Sequence, residues 1–257
     1  MTLVTPRISV VIPAYNEAKL LPRLLDSVDV ARRNYHAGPD AIEVIVADNA
    51  STDRTAQIAD ARGVRVVAVA KRAIAAARNG GARAAAGAIL AFIDADSAVH
   101  PDTFNEIDRV LTDRIVGGAT GLRLDTRTPG RVLSFAMLLA VGFVLRPVLL
   151  TEWPRLNIDA GVVFLRRADF ERIGGYREDH LFAEDVRLLI DLRRLGRSRG
   201  QHLARSNRAP AMFSTRKFDE HGEWHYFLVP FRLLSPKFVR KYWYERKNDD
   251  PEPEDLA

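Results

Sequence analysis

Residues 7–28 read RISVVIPAYNEAKLLPRLLDSV, and the change of period inside this stretch decides the fold. Residues 7–12 are a near-continuous apolar run, the pattern of a strand buried on both faces of a parallel sheet. From Leu20 onward the apolar positions become 20, 21, 24, 25 and 28, which share one helical face. Pro22 is tolerated there only inside the first helical turn. A buried strand, a polar loop (PAYNE, 13–17) and an amphipathic helix open a β-α-β unit.

The unit repeats. EVIVA (43–47), VRVVAV (64–69) and ILAFI (89–93) are further apolar, β-branched runs. Between the second and third strands, Ser51 is placed to cap a helix carrying Ile58 and Ala59, with Asp53 at its positive end. An alanine-rich helix over about 73–86 precedes the fourth strand. The order β-α-β-α-β-α-β predicts an α/β fold with a doubly wound, Rossmann-like, mostly parallel sheet and helices on both faces. Such sheets bind ligands at the carboxyl ends of their strands. The loops there are PAYNE (13–17), ADNASTD (47–53) and DADS (94–97). No GxGxxG follows the first strand and no GxxxxGK[ST] occurs, which argues against dinucleotide and P-loop sites.

The chain has 257 residues, 47% hydrophobic and 28% charged, ordinary values for a globular protein. With no cysteine there is neither a disulfide framework nor a thiolate metal site. The opening MTLVTPRISVVIP reads as a first strand rather than a signal peptide, so the expected location is cytoplasmic, with the cytoplasmic face of a membrane left open. The net charge is +5, and its excess lies between Arg187 and Lys247. That suits an anionic partner or simply a solvated surface. DDPEPED (249–255) cannot pack and marks residues 248–257 as an acidic tail.

Asp94 and Asp96 close the fourth strand two residues apart, and in extended backbone they would face one side. Two close carboxylates raise each other's pKa. A divalent cation relieves that repulsion, and Mg2+ or Mn2+ is commonly held by one or two carboxylates plus phosphate oxygens. Alone, Asp-x-Asp is equally a pair of loop aspartates ahead of the next helix.

The pair is not alone. VVIPAYNEAKLLPRLLDSV (10–28), VIVADNASTDRTAQIA (44–59), ARNGGARAAAGAILAFIDADS (77–97), GVVFLRRADFERIGGYRED (161–179) and FAEDVRLLIDLRRLG (182–196), in this order, resemble family 2 inverting glycosyltransferases. The resemblance implies a single GT-A domain over 1–247, with a nucleotide-sugar half at about 7–125 and an acceptor half at about 126–247. It implies that Pro13, Tyr15 and Glu17 lie beside the nucleoside and that Asp48 accepts from a base N–H, a uracil by default. It further implies Arg78 near the nucleotide, Asp94 near ribose and metal, Asp96 as metal ligand, and Asp185 of the Glu184-Asp185 pair as catalytic base. Glu184 is counted with the substrate-binding residues. The family often has two acids and a glycine after the second strand; here Asp48, Asn49 and Ala50 stand there.

The implied chemistry is a metal-assisted single displacement from a nucleotide diphosphate sugar to an acceptor hydroxyl, with inversion. Without that resemblance, Glu184 and Asp185 would read as acids stabilising a helix N-terminus. The helix they start carries Val186, Leu189, Ile190 and Leu192 as its expected apolar face. Arg216 and Lys217 would reach the diphosphate, or would be ordinary surface cations. His180, His221 and His225 lack metal-ligand spacing.

VLSFAMLLAVGFVLRPVLL (132–150) has an uninterrupted apolar part of about 14 residues, short of the ~20 that a membrane span needs. Core packing, a homodimer contact or a lipid-linked acceptor would each suit it. The stretch 227–247 mixes aromatic residues with cations and suits a peripheral membrane contact or a packed terminal helix. The competing functions are a non-catalytic nucleotide- or glycan-binding domain and a nucleotidyltransferase; no motif supports a nucleic-acid partner.

Overall fold

The structure, a computed structural model, describes residues 5–124, 161–179 and 184–213. Its elements run β1 (Ile8–Ala14), α1 (Leu21–Arg33), β2 (Ile42–Asp48), α2 (Thr55–Ala61), β3 (Arg65–Ala68), α3 (Ile74–Ala84) and β4 (Ile89–Phe92). After these come β5 (Ser97–Ala98), α4 (Thr103–Val110), β6 (Ile115–Leu124), β7 (Val163–Arg166), α5 (Arg167–Arg172), α6 (Glu184–Ser198) and β8 (His202–Phe213). The segments 132–150 and 227–247, the tail, Arg216, Lys217, His180, His221 and His225 lie outside the described residues. Among the described residues no helix is long and apolar enough to cross a membrane.

One mixed sheet has the order β3-β2-β1-β4-β7-β6-β8-β5. The strands β3, β2, β1 and β4 are mutually parallel, whereas β7 runs antiparallel to both β4 and β6. The chain winds outward from β1 to β3 and then returns to β1's other side with β4. The β1–β4 boundary is therefore the topological switch point, and the crevice beyond their carboxyl ends is the favoured ligand position. Pro13 suits that edge. Val11 O accepts from Ile93 N on the β4 side and Ala14 O accepts from Asn49 N on the β2 side. By alternation the N–H that Pro13 lacks would face β4, past the last paired residue, Phe92.

Leu21, Leu24, Leu25, Val28 and Ala31 of α1 are buried against this sheet, with Pro22 in the first turn as expected. Three local expectations need correction. VRVVAV forms an edge strand, so β3 is only partly buried instead of lying within the sheet. The hydroxyl of Ser51 accepts from the backbone N–H of Asn16 at 3.1 Å and does not cap α2, which starts later at Thr55. The buried face of α6 is Leu188, Leu189, Leu192 and Gly196, while Val186 and Ile190 are half-buried.

Candidate functional site

The loops after β1 and β2 are laced together. Asn16 and Thr52 exchange hydrogen bonds, with Thr52 N donating to Asn16 Oδ1 at 2.8 Å and Asn16 Nδ2 to Thr52 Oγ1 at 3.1 Å. Glu17 N donates to Thr55 Oγ1 at 2.8 Å, and Ala18 N to Asp53 Oδ2 at 3.0 Å. Asn16 takes φ +49, a left-handed conformation that asparagine tolerates. Ala50, where the resemblance anticipates glycine, takes φ +61. The backbone keeps a glycine-like geometry with a Cβ in place, at a cost of about 1–2 kcal/mol.

Tyr15 is 9% exposed, and the guanidinium of Arg72 lies 4.2 Å from its ring centroid. Burial raises the Tyr15 phenol's pKa. Glu17 and Asp48 are also buried, and Asp48 Oδ1 makes no hydrogen bond among the described residues. A buried acceptor left unsatisfied costs about 1–3 kcal/mol, so a ligand N–H would be welcome there.

Beside this edge, α3 presses close to β1: a Cβ on Gly81 would collide with the Val11 side chain. That approach carries Arg78, 3% exposed, into the crevice. Its Nη1 donates to Glu184 Oε1 at 2.6 Å and its Nη2 to Asp94 Oδ1 at 2.8 Å; Asp185 Oδ2 is 3.1 Å from Nη2. Three sequence-predicted carboxylates thus meet on the guanidinium of a fourth sequence-predicted residue. Burial opposes the Arg78 charge, and Asp185, Asp94 and Glu184 outweigh it, so its pKa is raised well above the ordinary range.

One cation shared by three carboxylates leaves an excess of negative charge. Asp185 shows the strain: burial pushes its pKa from 3.8 up to about 6 against the opposing pull of Arg78. Its side chain is still 30% exposed, so it remains reachable.

Asp94 and Asp96 do not extend the strand. β4 ends at Phe92, and Ser97 N donates to Asp94 O at 3.0 Å, closing a turn. Same-side projection from extended backbone therefore does not hold. The Asp94 side chain is 45% exposed, whereas Asp96 is 7% exposed. Among the described residues no group of three or more His, Cys, Asp or Glu gathers as a ready metal cage. The donor set still fits a hard divalent cation that takes its remaining ligands from phosphate oxygens and water.

Two residues escaped the sequence reading. Tyr176 donates its phenol to Asp185 Oδ1 at 2.8 Å, and Asn79, next to Arg78, binds the Tyr176 backbone. The only local hint was their position inside ARNGG and GGYRED.

The model of the family described as Glycosyl transferase family 2 matches residues 9–174. Validoxylamine A glucosyltransferase of Streptomyces hygroscopicus subsp. limoneus is 38% identical over 102 residues, 37% of this chain and 22% of that protein. The chain thus matches well under two thirds of that relative's length. Mannosyltransferase PcManGT from Pyrobaculum calidifontis, in complex with GDP-Man and Mn2+, superposes with a TM-score of 0.62 at 23% identity, covering 96% of this chain and 66% of that one. Glucosyl-3-phosphoglycerate synthase from Mycobacterium tuberculosis, in complex with Mn2+, UDP and phosphoglyceric acid, gives 0.58 at 25% identity, covering 91% and 78%. These neighbours share the GT-A fold anticipated from the sequence.

Proposed function

The chain belongs to glycosyl transferase family 2, and we propose that it moves a sugar from a nucleoside diphosphate donor, a UDP-sugar, to a hydroxyl of a glycan or lipid-linked acceptor. The observation that carries this reading is the convergence of Asp94, Glu184 and Asp185 on Arg78 at the switch-point crevice. The nucleotides and sugars named for the neighbours support the substrate class.

In this proposal the nucleoside lies by Pro13, Tyr15 and Glu17, and Asp48 Oδ1 accepts from the base N–H. Asp94 and Asp96 would hold Mg2+ or Mn2+, which neutralises charge developing on the diphosphate. Arg78 orients Asp94 on one side and Asp185 on the other, and so sets the separation of donor and base. The acceptor oxygen bonds to the anomeric carbon as the carbon–oxygen bond to the diphosphate breaks. The electron pair leaves on the diphosphate, and the hydroxyl proton passes to Asp185. A base acting without an enzyme nucleophile gives inversion. Such proton transfer is worth about 10²–10⁴-fold in rate. The pKa of Asp185 near 6 leaves it ionised at neutral pH yet more basic than an ordinary carboxylate.

The test is thermal denaturation with UDP, GDP, dTDP and CDP, each with and without Mn2+ or Mg2+. A ligand at a hundredfold excess over its Kd adds about 2.7 kcal/mol of apparent stability. A metal-dependent rise with UDP above the others is expected. No rise with any nucleotide would overturn the donor reading.

A further inference from the structure

We propose that Tyr176 is a positioning residue for Asp185, gripping one oxygen of its carboxylate while Arg78 grips the other; the inference rests on Asp185 as the base. Rotation of an aspartate carboxylate about its last torsion is soft and roughly two-fold. One contact leaves that rotor loose. Here Oδ1 accepts from Tyr176 Oη at 2.8 Å and Oδ2 lies 3.1 Å from Arg78 Nη2. The two contacts fix the plane of the carboxylate and leave its remaining lone pairs to the crevice.

The tyrosine itself is held firmly. It is 2% exposed, and its ring meets Phe92, the last residue of β4, edge-on at 5.0 Å and Phe170 at 5.9 Å. Asn79 clamps its peptide groups: Tyr176 N donates to Asn79 Oδ1 at 2.9 Å, and Asn79 Nδ2 donates to Tyr176 O at 2.8 Å. The clamp needs Gly175, which takes φ +71 and whose Cβ, if present, would stand 2.8 Å from Asn79 Oδ1. Glu178 continues the brace, accepting from Asn79 Nδ2 at 3.0 Å and from Lys71 Nζ at 2.9 Å. Consecutive residues of α3 therefore hold the two ends of one device: Arg78 the base, Asn79 the tyrosine. A phenylalanine would fill the same apolar space, so packing alone does not account for the hydroxyl.

The decisive variant is Tyr176→Phe. Turnover is read as nucleoside diphosphate released from UDP-glucose and from GDP-mannose with Mn2+, water serving as acceptor. Nucleotide affinity is read by calorimetry with UDP and Mn2+. The expected result is a fall in kcat of about 10- to 100-fold, with donor KM and UDP affinity within about twofold. In an Asp185→Asn background, Tyr176→Phe should have no further effect, because it acts through that carboxylate. Unchanged kcat in Tyr176→Phe, with Asp185→Asn crippled, overturns the positioning role and leaves the base in place. An equal loss in both backgrounds makes the hydroxyl merely structural and also overturns it. Full turnover in Asp185→Asn removes the base reading and this inference together.

Discussion

Two partly buried polar networks join the first half of the chain to the second, and they are built with different charge ratios. In one, Glu106 of α4 accepts from Arg109 Nε at 2.7 Å and Nη2 at 2.6 Å, and from the Ser206 hydroxyl of β8. One carboxylate there meets one cation and one hydroxyl. In the other, three carboxylates share Arg78, with a single phenol in support. The pKa shifts follow. Hydrogen bonds from Arg109 lower Glu106 below its ordinary 4.5, whereas burial raises Asp185 to about 6. At Glu106 the Arg109 hydrogen bonds outweigh burial, whereas at Asp185 burial, helped by the neighbouring carboxylates of Glu184 and Asp94, outweighs Arg78. A matched network is a closed joint. An acid-rich one suits the cation and the proton acceptor that the proposed transfer would need.

The contrast can be broken hardest at Asp185. Asp185→Asn is expected to lower donor turnover by about 10²–10⁴-fold while UDP affinity with Mn2+ stays within about threefold; a variant retaining wild-type turnover would remove the contrast's functional meaning. Next comes pH. Turnover should fall about tenfold per unit below about pH 6 as Asp185 takes up its proton, read from the acid limb of kcat.

The stability signs also diverge. With a raised pKa, Asp185 favours the folded state at low pH, and that contribution is lost as pH climbs from 3.8 through about 6. With a lowered pKa, Glu106 contributes above 4.5 and loses that contribution on acidification. Urea midpoints should therefore shift in opposite senses relative to wild type, in Asp185→Asn as pH rises from about 4 to 7 and in Glu106→Gln as pH falls below 4.5.

A smaller effect is expected at neutral pH for Glu106→Gln alone: a stability loss of about 1–3 kcal/mol by chemical denaturation, with turnover within about twofold of wild type. Arg109 is half exposed, which keeps that figure modest. The smallest lies in the loop after β2. Ala50→Gly should stabilise by about 0.5–1 kcal/mol, since relief of the left-handed Cβ strain outweighs the added freedom of the unfolded chain. A loss of stability would show that the alanine methyl is needed there.

Much of this was legible in local patterns. The period change within 7–28 yields β1 within two residues at each end and the start of α1 within one, though α1 runs on to Arg33, and ILAFI yields β4. The acids after the strands could be placed from residue type and loop position, but it took the family resemblance to single out Asp94, Asp96, Glu184 and Asp185 as site candidates. The failures share a cause. The exposure of β3 depends on its being outermost in the sheet, and the place of Ser51 depends on Asn16, 35 residues away. The geometry of Asp94 and Asp96 depends on where β4 stops, which pairing with β1 and β7 determines.

The sequence by itself determined the alternating elements, the α/β class and the identities of the acids, because periodicity and residue type are local properties of the chain. Only the tertiary structure decided that Arg78 would meet Glu184, 106 residues away, and that Tyr176 would meet Asp185. Those contacts arise from sheet order and from the close seating of α3 on β1. A buried guanidinium takes whichever carboxylates the folded chain brings within reach, and no local pattern encodes which they will be.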